Sequence, residues 1–235
     1  MMEIHPIAYF HSPFTSKFGI PRQSGVVPEV EGEIVFCKPY DNPVAVRGIE
    51  NFDYVWLIWG FSGNPGSSGN SIQETAFDDG RDDTVHLSVR PPRLGGNERV
   101  GVFASRSPFR PNGLGLSCVR LKEAKKGRLV VLGADLMDGT PIYDVKPYIT
   151  YADAYPGARS GFVDAAEWQP LAVVFPKELQ QGFSEADIKA ISGALSQDPR
   201  PHYHKDSPRI YGMPFRGKDI RFRICDNKVE ITDII

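Results

Sequence analysis

Two stretches of the sequence concentrate the side chains that could do chemistry. The first covers residues 89–96 and 101–117, where arginines alternate with glycines and prolines. Arginines on proline-stiffened loops present forked donors to phosphates or carboxylates, and glycines let a ligand approach the backbone closely. A solvated, turn-rich surface would have the same composition. Gly113 and Gly115 lack the third glycine and the strand-to-helix setting of a dinucleotide fingerprint, so we do not expect a Rossmann cofactor site.

The second stretch, residues 135–148, gathers three carboxylates, two tyrosines and a lysine around one turn. Such a cluster can supply a proton acceptor and polar anchors for the amine or hydroxyl groups of a ligand. Asp138 also has a structural explanation, because aspartate before glycine is favoured by turn chemistry alone. For that residue taken by itself, the structural explanation is the stronger one.

The sequence does not predict a metal site or a disulfide framework. His202 and His204 are separated by one residue, but no further histidine or cysteine lies nearby. The three cysteines are odd in number and widely spaced, which indicates a reducing compartment. The N-terminal residues lack the basic start and apolar core that are typical of a signal peptide. The apolar run 54–61 is too short to cross a bilayer. We therefore expect a cytoplasmic protein without membrane or metal partners.

The total charge conceals a strong local separation. The 235 residues carry 27 Lys and Arg against 29 Asp and Glu, which alone would argue against a nucleic-acid partner. Residues 62–86, however, hold five acids and one base, whereas residues 87–120 hold six arginines and one acid. A basic segment of this kind is compatible with RNA. The acidic segment is rich in glycine and is predicted to be a long surface loop.

Short β-strands are predicted to position these residues. Apolar or alternating runs bounded by turn residues occur without helices of crossover length between them, which predicts a mainly β fold with an antiparallel barrel. Asp138-Gly139 predicts a β-hairpin. The predicted strands are Glu33 to Cys37, Tyr54 to Trp59, Val100 to Ser105, Leu116 to Leu121, Leu129 to Leu136 and Pro141 to Val145.

The last part of the chain has a different pattern. Apolar residues repeat every three or four positions over 176–196, which predicts a helix with Ser184 as its N-cap and a break at Gly182. Two strands, 220–225 and 228–232, are predicted to turn at Asp226-Asn227. We expect a barrel domain over residues 1–169 and a smaller α+β domain over 170–235.

The motifs along the chain resemble those of the TrmO (TsaA-like, YaeB-like) family of tRNA methyltransferases. They follow one another in the family's order and span most of the sequence. The matching motifs are Pro21-Arg22-Gln23, residues 45–52 with Trp56, and residues 90–96, 106–112, 138–148 and 197–203.

The resemblance implies a homodimeric methyltransferase that binds S-adenosylmethionine on a β-barrel. It also implies methylation of the exocyclic amine nitrogen of threonylcarbamoyl-adenosine, at position 37 in the anticodon loop of threonine tRNA. Where relatives carry His-Gln, this chain has Ser62-Gly63, whose backbone could still line the cofactor. The cofactor contacts that the resemblance implies are Pro21, Arg22, Gln23, Ser62, Gly63, Arg106, Leu114, Asp135, Leu136, Met137 and Asp138.

The expected reaction also needs an acceptor for the proton on the attacking nitrogen. Asp138 and Asp144 are the candidates, with Tyr143 a weaker one, and proton loss to water is the alternative. A non-catalytic module that binds RNA or S-adenosylmethionine is the main alternative to an enzyme, supported only by the altered Ser62-Gly63. The proposed RNA-backbone contacts are Arg90, Arg93, Arg110, Arg200, Lys205 and Arg209.

Overall fold

A six-stranded antiparallel barrel forms the first part of the molecule. The structure, a computed structural model, describes residues 3–61, 87–91, 98–165, 169–200 and 209–235. The barrel closes in the order β1-β2-β7-β6-β3-β8, with every neighbouring pair antiparallel. Its strands are β1 (Ala8–His11), β2 (Glu31–Phe36), β3 (Tyr54–Gly60), β6 (Leu114–Lys125), β7 (Arg128–Leu132) and β8 (Thr140–Pro147).

Alternating side chains fill the interior of the barrel. In β3, Val55, Leu57 and Trp59 are buried, whereas the residues between them face outward. This alternation is what a strand with one buried face requires. The interior also holds Phe10 and Ile142, and it is a packed apolar core. The predicted mainly β fold with an antiparallel barrel is confirmed.

The predicted hairpin at Asp138-Gly139 is wrong. A tight turn is present, because the Thr140 N–H donates to the Met137 carbonyl at 3.2 Å and Gly139 has a φ of 77°. Yet β7 pairs with β2 and β6, while β8 pairs with β1 and β3. Turn chemistry is local, whereas the partners of a strand are chosen by barrel closure. β7 also ends at Leu132, four residues earlier than predicted.

A short two-stranded sheet lies between β3 and β6 in sequence. It consists of β4 (Ser88–Val89) and β5 (Val100–Gly101). The strand predicted over Val100 to Ser105 is therefore mostly wrong, since Val102–Ala104 form a 3-10 helix. Two further 3-10 helices, Pro43–Val46 and Ile49–Asn51, precede β3. The acidic segment 62–86 lies outside the described residues.

The C-terminal part is an α+β unit. After the single-turn helices α1 (Thr150–Asp153) and α2 (Phe162–Ala165), a four-stranded sheet forms in the order β10-β11-β12-β9. The outer strand β9 runs parallel to β12. Of these strands, the sequence predicted only β11 and β12. The sheet comprises β9 (Ala172–Val174), β10 (Tyr211–Phe215), β11 (Lys218–Cys225) and β12 (Lys228–Ile234).

The helical prediction for this part is confirmed in two pieces. A 3-10 helix covers Lys177–Gln180, and α3 covers Glu185–Ser196. Ser184 caps α3 in a capping box with Asp187. Gly182, with a φ of 82°, separates the pieces as predicted. The turn at Asp226-Asn227 is confirmed as well, with φ values of 48° and 57° that fit a type I′ hairpin.

A loop between β1 and β2 joins the two parts of the molecule. We call residues 12–30 the junction loop. Its Phe14, Val27 and Val30 belong to the apolar core of the C-terminal unit. Its backbone is bonded to the barrel, since the Gly25 N–H donates to the Gly133 carbonyl at 2.8 Å. The loop is therefore fixed from both sides.

Within the described ranges, no helix is long and apolar enough to span a membrane.

Candidate functional site

The barrel side of the junction loop brings together residues that are far apart in sequence. Arg106, which follows the 3-10 helix Val102–Ala104, donates from Nη1 to Gln23 Oε1 at 2.7 Å. Asp135, which follows β7, accepts a hydrogen bond from the backbone of Ser24, and the positive charge of Arg106 acts on its carboxyl group. Three of the residues that the resemblance assigned to the cofactor, Gln23, Arg106 and Asp135, thus lie in one place.

Asp135 is held by a buried hydrogen-bond network that the sequence did not predict. Ser117 Oγ donates to Asp135 Oδ1 at 2.6 Å and accepts from Trp59 Nε1 at 2.9 Å. Ser117 is only 1% exposed. Gly115 leaves room for the indole, because a Cβ there would lie 2.3 Å from Trp59 Cε2. We call this the Trp59–Ser117–Asp135 network.

The environment of Asp135 raises the pKa of its carboxyl group above the usual range. Burial is the largest cause, because a charged carboxylate loses water there. Hydrogen bonds from Ser117 and from the backbone of Ser24, together with the charge of Arg106, oppose this effect without cancelling it. Perturbed carboxyl groups of this kind cluster at functional sites.

The turn that follows Asp135 presents both side-chain and backbone groups. Asp138 Oδ1 accepts the Ser12 N–H at 3.0 Å and lies 3.4 Å from His11 Nδ1. The Leu136 side chain is buried in the barrel core, so a ligand could reach this residue only through its backbone. Leu114 starts β6 opposite Gly60, the last residue of β3.

Asp144 and Tyr143 lie further along β8. Asp144 Oδ2 pairs with Lys146 Nζ at 2.8 Å, and its Oδ1 accepts the Val145 N–H at 2.9 Å. The register of β8 against β3 shifts at this point, since Ile58 pairs with Asp144 whereas Trp59 pairs with Ile142. Tyr143 occupies the resulting bulge, which re-aims its side chain toward Gly60.

The C-terminal side of the junction loop holds a second carboxyl group. Arg22 Nη2 donates to the Asp198 carbonyl at 3.1 Å. Arg200 donates two hydrogen bonds to the Asp198 carboxylate, from Nε to Oδ1 at 2.8 Å and from Nη2 to Oδ2 at 2.9 Å. Burial alone would raise the pKa of Asp198, but Arg200, with a smaller contribution from Arg22, lowers it below the ordinary value. Arg22, which the resemblance assigns to the cofactor, thus also bonds the junction loop to the C-terminal unit.

The other predicted RNA contacts have different surroundings. Arg110 donates to the Ser105 carbonyl at 2.7 Å and lies over the Phe103 ring, so part of its donor capacity is used within its own loop. Arg200 is engaged by Asp198, whereas Arg90 is exposed and Arg209 lies over the Tyr211 ring. The predicted site residues Ser62, Gly63, Arg93 and Lys205, and the histidines 202 and 204, lie outside the described residues.

Over the ranges that the structure describes, no group of three His, Cys, Asp or Glu residues could hold a metal ion.

Two further residues that the resemblance assigned to the cofactor are also described. Pro21 is buried beside Arg22 and Gln23, and the Met137 carbonyl accepts the Thr140 hydroxyl at 2.7 Å. One signal in the sequence could have revealed the missed network. Ser117 is a polar residue at an inward-facing position of an alternating strand.

Comparisons with known proteins identify the family of the chain. Residues 9–154 match the model of the tRNA-methyltransferase O N-terminal domain, and residues 168–235 match the model of the TrmO C-terminal domain. The tRNA (adenine(37)-N6)-methyltransferase of Escherichia coli K12 is 35% identical over 97% of this chain and 96% of its own length. A Pseudomonas aeruginosa PAO1 protein, classed provisionally under the name RcsF as an S-adenosylmethionine-dependent methyltransferase, is 39% identical over 93% of this chain and 91% of its own.

A solved structure is similar over the whole chain. The crystal structure of TrmO from Pseudomonas aeruginosa superposes with a TM-score of 0.77 at 30% identity, covering 100% of this chain and 98% of that one.

Proposed function

This chain belongs to the tRNA-methyltransferase O (TrmO) family, and on that premise we propose that it methylates threonylcarbamoyl-adenosine at position 37 of threonine tRNA. The chain is an S-adenosylmethionine-dependent tRNA (adenine) N-methyltransferase, in keeping with relatives that match it over nearly their full length. The finer substrate assignment is our proposal. The convergence of Gln23, Arg106 and Asp135 on the junction loop is the structural observation that supports the cofactor site, and the resemblance of the motifs supports the finer substrate.

The residues present fit S-adenosylmethionine. The cofactor carries an ammonium group, a carboxylate, ribose hydroxyls and an apolar base. Arg106 suits the carboxylate as a forked donor. Asp135 and Asp138 suit the ammonium group and the hydroxyls, and Leu114 and Met137 suit the base. When bound, S-adenosylmethionine supplies an electrophilic methyl group on a sulfonium sulfur.

The protein's own contribution is mainly positioning. Holding two reactants in a productive orientation can lower a barrier by about 7–11 kcal/mol. The Trp59–Ser117–Asp135 network joins three segments of the barrel, and the Arg106–Gln23 bond joins two further segments. The hydrogen bond from the backbone of Ser24 to Asp135 links the two groups. We propose that this rigid frame orients the cofactor toward the exocyclic nitrogen of the target base and excludes bulk water.

The attacking nitrogen must lose a proton, and the structure favours one acceptor over the others. Asp138 lies in the same turn as the proposed cofactor contacts. Asp144 is paired with Lys146 on the outer face of β8, which makes it a less suitable base. Tyr143 points toward Gly60 and stays the weaker candidate. We propose Asp138 as the acceptor, with proton loss to water as the alternative.

Single-turnover kinetics test this assignment. Asp138→Asn should slow methyl transfer from pre-bound cofactor about 100-fold, the lower range for general base catalysis. Asp144→Asn is the matched control and should keep the wild-type rate. Cofactor affinity is measured separately by calorimetry. Wild-type rates in both variants would show that neither carboxylate is the base.

The RNA contacts proposed from the sequence are tested by salt. Each neutralised phosphate steepens the fall of affinity with salt concentration. Arg90→Met and Arg209→Met should each reduce that slope, and Arg110→Met and Arg200→Met should reduce it while also destabilising the segments that these arginines hold. Arg93 and Lys205 stay proposed contacts as well, so the set has six members. A flat salt dependence of tRNA affinity would refute the set.

A homodimer is also proposed. Leu87, Phe103 and Phe109 are exposed apolar side chains. The first two are neighbours, because the Val102 N–H donates to the Leu87 carbonyl. An exposed apolar patch favours self-association. Phe103→Glu should shift a dimer to a monomer in light scattering, and a wild-type monomer would contradict the proposal.

Two further proposals concern organisation. We propose a barrel domain over residues 1–169, a C-terminal domain over 170–235 that contacts the tRNA anticodon loop, and a cytoplasmic location. Deletion of residues 170–235 should weaken tRNA binding if this division is correct. The alternative of a non-catalytic module had one ground, Ser62-Gly63, which lies outside the described residues. Cofactor binding without methylated product would favour that module.

A further inference from the structure

The Tyr143 side chain crosses the end of β3 on the outer face of the barrel. The register between β3 and β8 shifts after Ile58, which makes Tyr143 the extra residue of a bulge in β8. Trp59 faces the interior, so the next residue, Gly60, faces outward. A Cβ on Gly60 would lie 2.8 Å from the Tyr143 hydroxyl and 2.9 Å from its Cε2. The tyrosine ring therefore occupies the place of the side chain that Gly60 lacks.

This placement brings the Tyr143 hydroxyl close to a predicted cofactor contact. Strand β3 lies between β8 and β6 in the barrel. Gly60 is the direct partner of Leu114 on β6, so the two residues share the outer face. Leu114 is one of the residues that the resemblance assigns to the cofactor. The hydroxyl therefore reaches from β8 over β3 toward the proposed cofactor site.

The Tyr143 hydroxyl has no hydrogen-bond partner within the described ranges. The nearest charged residues along β8, Asp144 and Lys146, pair with each other at 2.8 Å. A phenol keeps its proton near neutral pH, so its hydroxyl is a ready donor. Tyrosine side chains combine an apolar ring, which packs, with a polar tip that seeks a partner. A partly exposed donor that no described residue engages suits an oxygen of a ligand.

We propose that Tyr143 is a specificity-determining residue whose hydroxyl donates a hydrogen bond to the carbonyl oxygen of an acyl group on the target nitrogen. The carbamoyl part of threonylcarbamoyl-adenosine has such an oxygen, on the carbon that is bonded to this nitrogen. The inference rests on the proposed function for the identity of the substrate. It makes Tyr143 a hydrogen-bond donor rather than a proton acceptor.

The chemistry of the step explains why a donor at this oxygen matters for the rate. The substrate nitrogen forms a bond to the methyl carbon while the bond between that carbon and sulfur breaks, and the bonding pair stays on sulfur. The proton on the nitrogen leaves to Asp138 or to water. Negative charge that develops on the nitrogen is shared with the carbonyl oxygen. A donor held at that oxygen therefore stabilises the transition state more than the bound substrate.

Single-turnover methylation of two matched tRNAs tests the proposal. Threonine tRNA with and without the threonylcarbamoyl group is supplied to wild type and to Tyr143→Phe, which keeps the ring and removes only the hydroxyl. With the acylated tRNA, Tyr143→Phe should slow methyl transfer about 10- to 100-fold, the loss of one hydrogen bond to a charged oxygen. With the unacylated tRNA, the rate should be the same in both proteins.

Further variants separate the hydroxyl from general effects. Tyr54→Phe removes a partly exposed tyrosine hydroxyl at the other end of β3 and should leave the rate unchanged. Gly60→Ala should slow methylation of the acylated tRNA as Tyr143→Phe does, because its Cβ would displace the hydroxyl. In the double variant, the second change should add little, since the two changes remove the same interaction.

Three results would overturn the proposal. The first is an unchanged rate with the acylated tRNA in Tyr143→Phe. The second is weaker S-adenosylmethionine binding in calorimetry, which would assign the hydroxyl to the cofactor. The third is a loss that grows as the pH is raised from 7 to 9, which would make Tyr143 a proton acceptor. The proposed substrate is judged by wild type alone, and equal wild-type rates on the two tRNAs would refute that substrate and the inference with it.

Discussion

Two aspartates flank the junction loop, and their carboxyl groups have opposite pKa shifts. Burial acts in the same direction on both and raises the pKa. Asp198 has a guanidinium in direct bidentate contact, so its pKa falls below the ordinary value. Asp135 has a neutral hydroxyl, Ser117, as its side-chain partner, so its pKa stays above that value.

The difference separates two roles along one loop. On the C-terminal side, an ion pair stabilises the ionised carboxylate and helps to hold the fold. On the barrel side, a buried carboxyl group is kept beside Arg106 without a full ion pair, which costs stability when it ionises. Sites that bind ligands commonly retain such groups, because the ligand supplies the missing partner. We therefore expect barrel-side changes to affect the cofactor and C-terminal changes to affect stability.

The largest expected effect concerns Arg106. Arg106→Met should weaken S-adenosylmethionine binding about 10- to 100-fold, because a charge-assisted hydrogen bond contributes about 1.5–3 kcal/mol. Calorimetry measures this affinity. Arg128→Met, which removes a barrel arginine paired on the surface with Glu33, is the matched control and should change it by less than twofold. Equal losses in both variants would show that the effect is not specific to Arg106.

Ser117→Ala should reduce the free energy of unfolding by about 1–3 kcal/mol, since it leaves the Trp59 N–H and Asp135 without their buried partner. It should also raise the pKa of Asp135 further, because the Ser117 bond lowers it. Denaturant unfolding measures the first effect, and the pH dependence of cofactor affinity measures the second. Ser196→Ala, on α3, controls for loss of a hydroxyl. A stability loss with no change in the pH profile would make the network purely structural.

Arg200→Met should lower the free energy of unfolding by about 1–2 kcal/mol, because the half-buried Asp198 carboxylate loses its bidentate partner. Cofactor affinity should change less than threefold. The double variant Asp198→Asn/Arg200→Met should recover part of the stability, since no unpaired charge is left. Cofactor affinity that falls as far as in Arg106→Met would show that the two sides of the loop act as one unit.

The smallest effect is a pair of opposite pH dependences. Because the pKa of folded Asp198 is lowered, its stabilising contribution is present above the unfolded value of about 3.9 and is lost as the pH falls through the folded pKa. Asp187, lowered by Ser184 and Arg216 against the effect of burial, behaves likewise. Asp135 is raised, so its contribution becomes unfavourable as the pH rises from that value through the folded pKa.

Denaturant unfolding at several pH values from 3 to 6 measures these slopes. Asp198→Asn should reduce the stability that is lost between pH 6 and pH 3 by about 0.5–1 kcal/mol. Asp135→Asn should steepen it, because the opposing contribution is gone. Slopes of the same sign for the two variants would contradict the comparison between the two carboxyl groups. Thr232→Ala, which removes a hydroxyl that does not titrate, should leave the slope unchanged.

Two turns with similar sequences show how far local patterns predict the fold. Asp226-Asn227 joins β11 to β12 as predicted, and these strands pair with each other over residues 220–225. Asp138-Gly139 forms an equally tight turn, yet its flanking strands have other partners. In the first case no other strand lies between them. In the second, barrel closure places two other strands between β7 and β8 in each direction around the ring.

The candidate site shows the same limit. The resemblance drew attention to the junction loop, Arg106 and the turn at Asp135, and the structure brings these segments together. The resemblance could not reveal that Ser117 links Asp135 to Trp59, because that network depends on the registers of β3 and β6 and joins residues 58 positions apart in the sequence.

The order of strands in the C-terminal sheet has a consequence for synthesis of the chain. β9 pairs with β12, which the ribosome makes after every other described strand. The six barrel strands are all complete by Pro147, so the barrel can close first. Phe14, Val27 and Val30 of the junction loop can reach their final packing only after the C-terminal core has formed. The loop that carries Gln23 is thus among the first segments translated and among the last to reach its final packing.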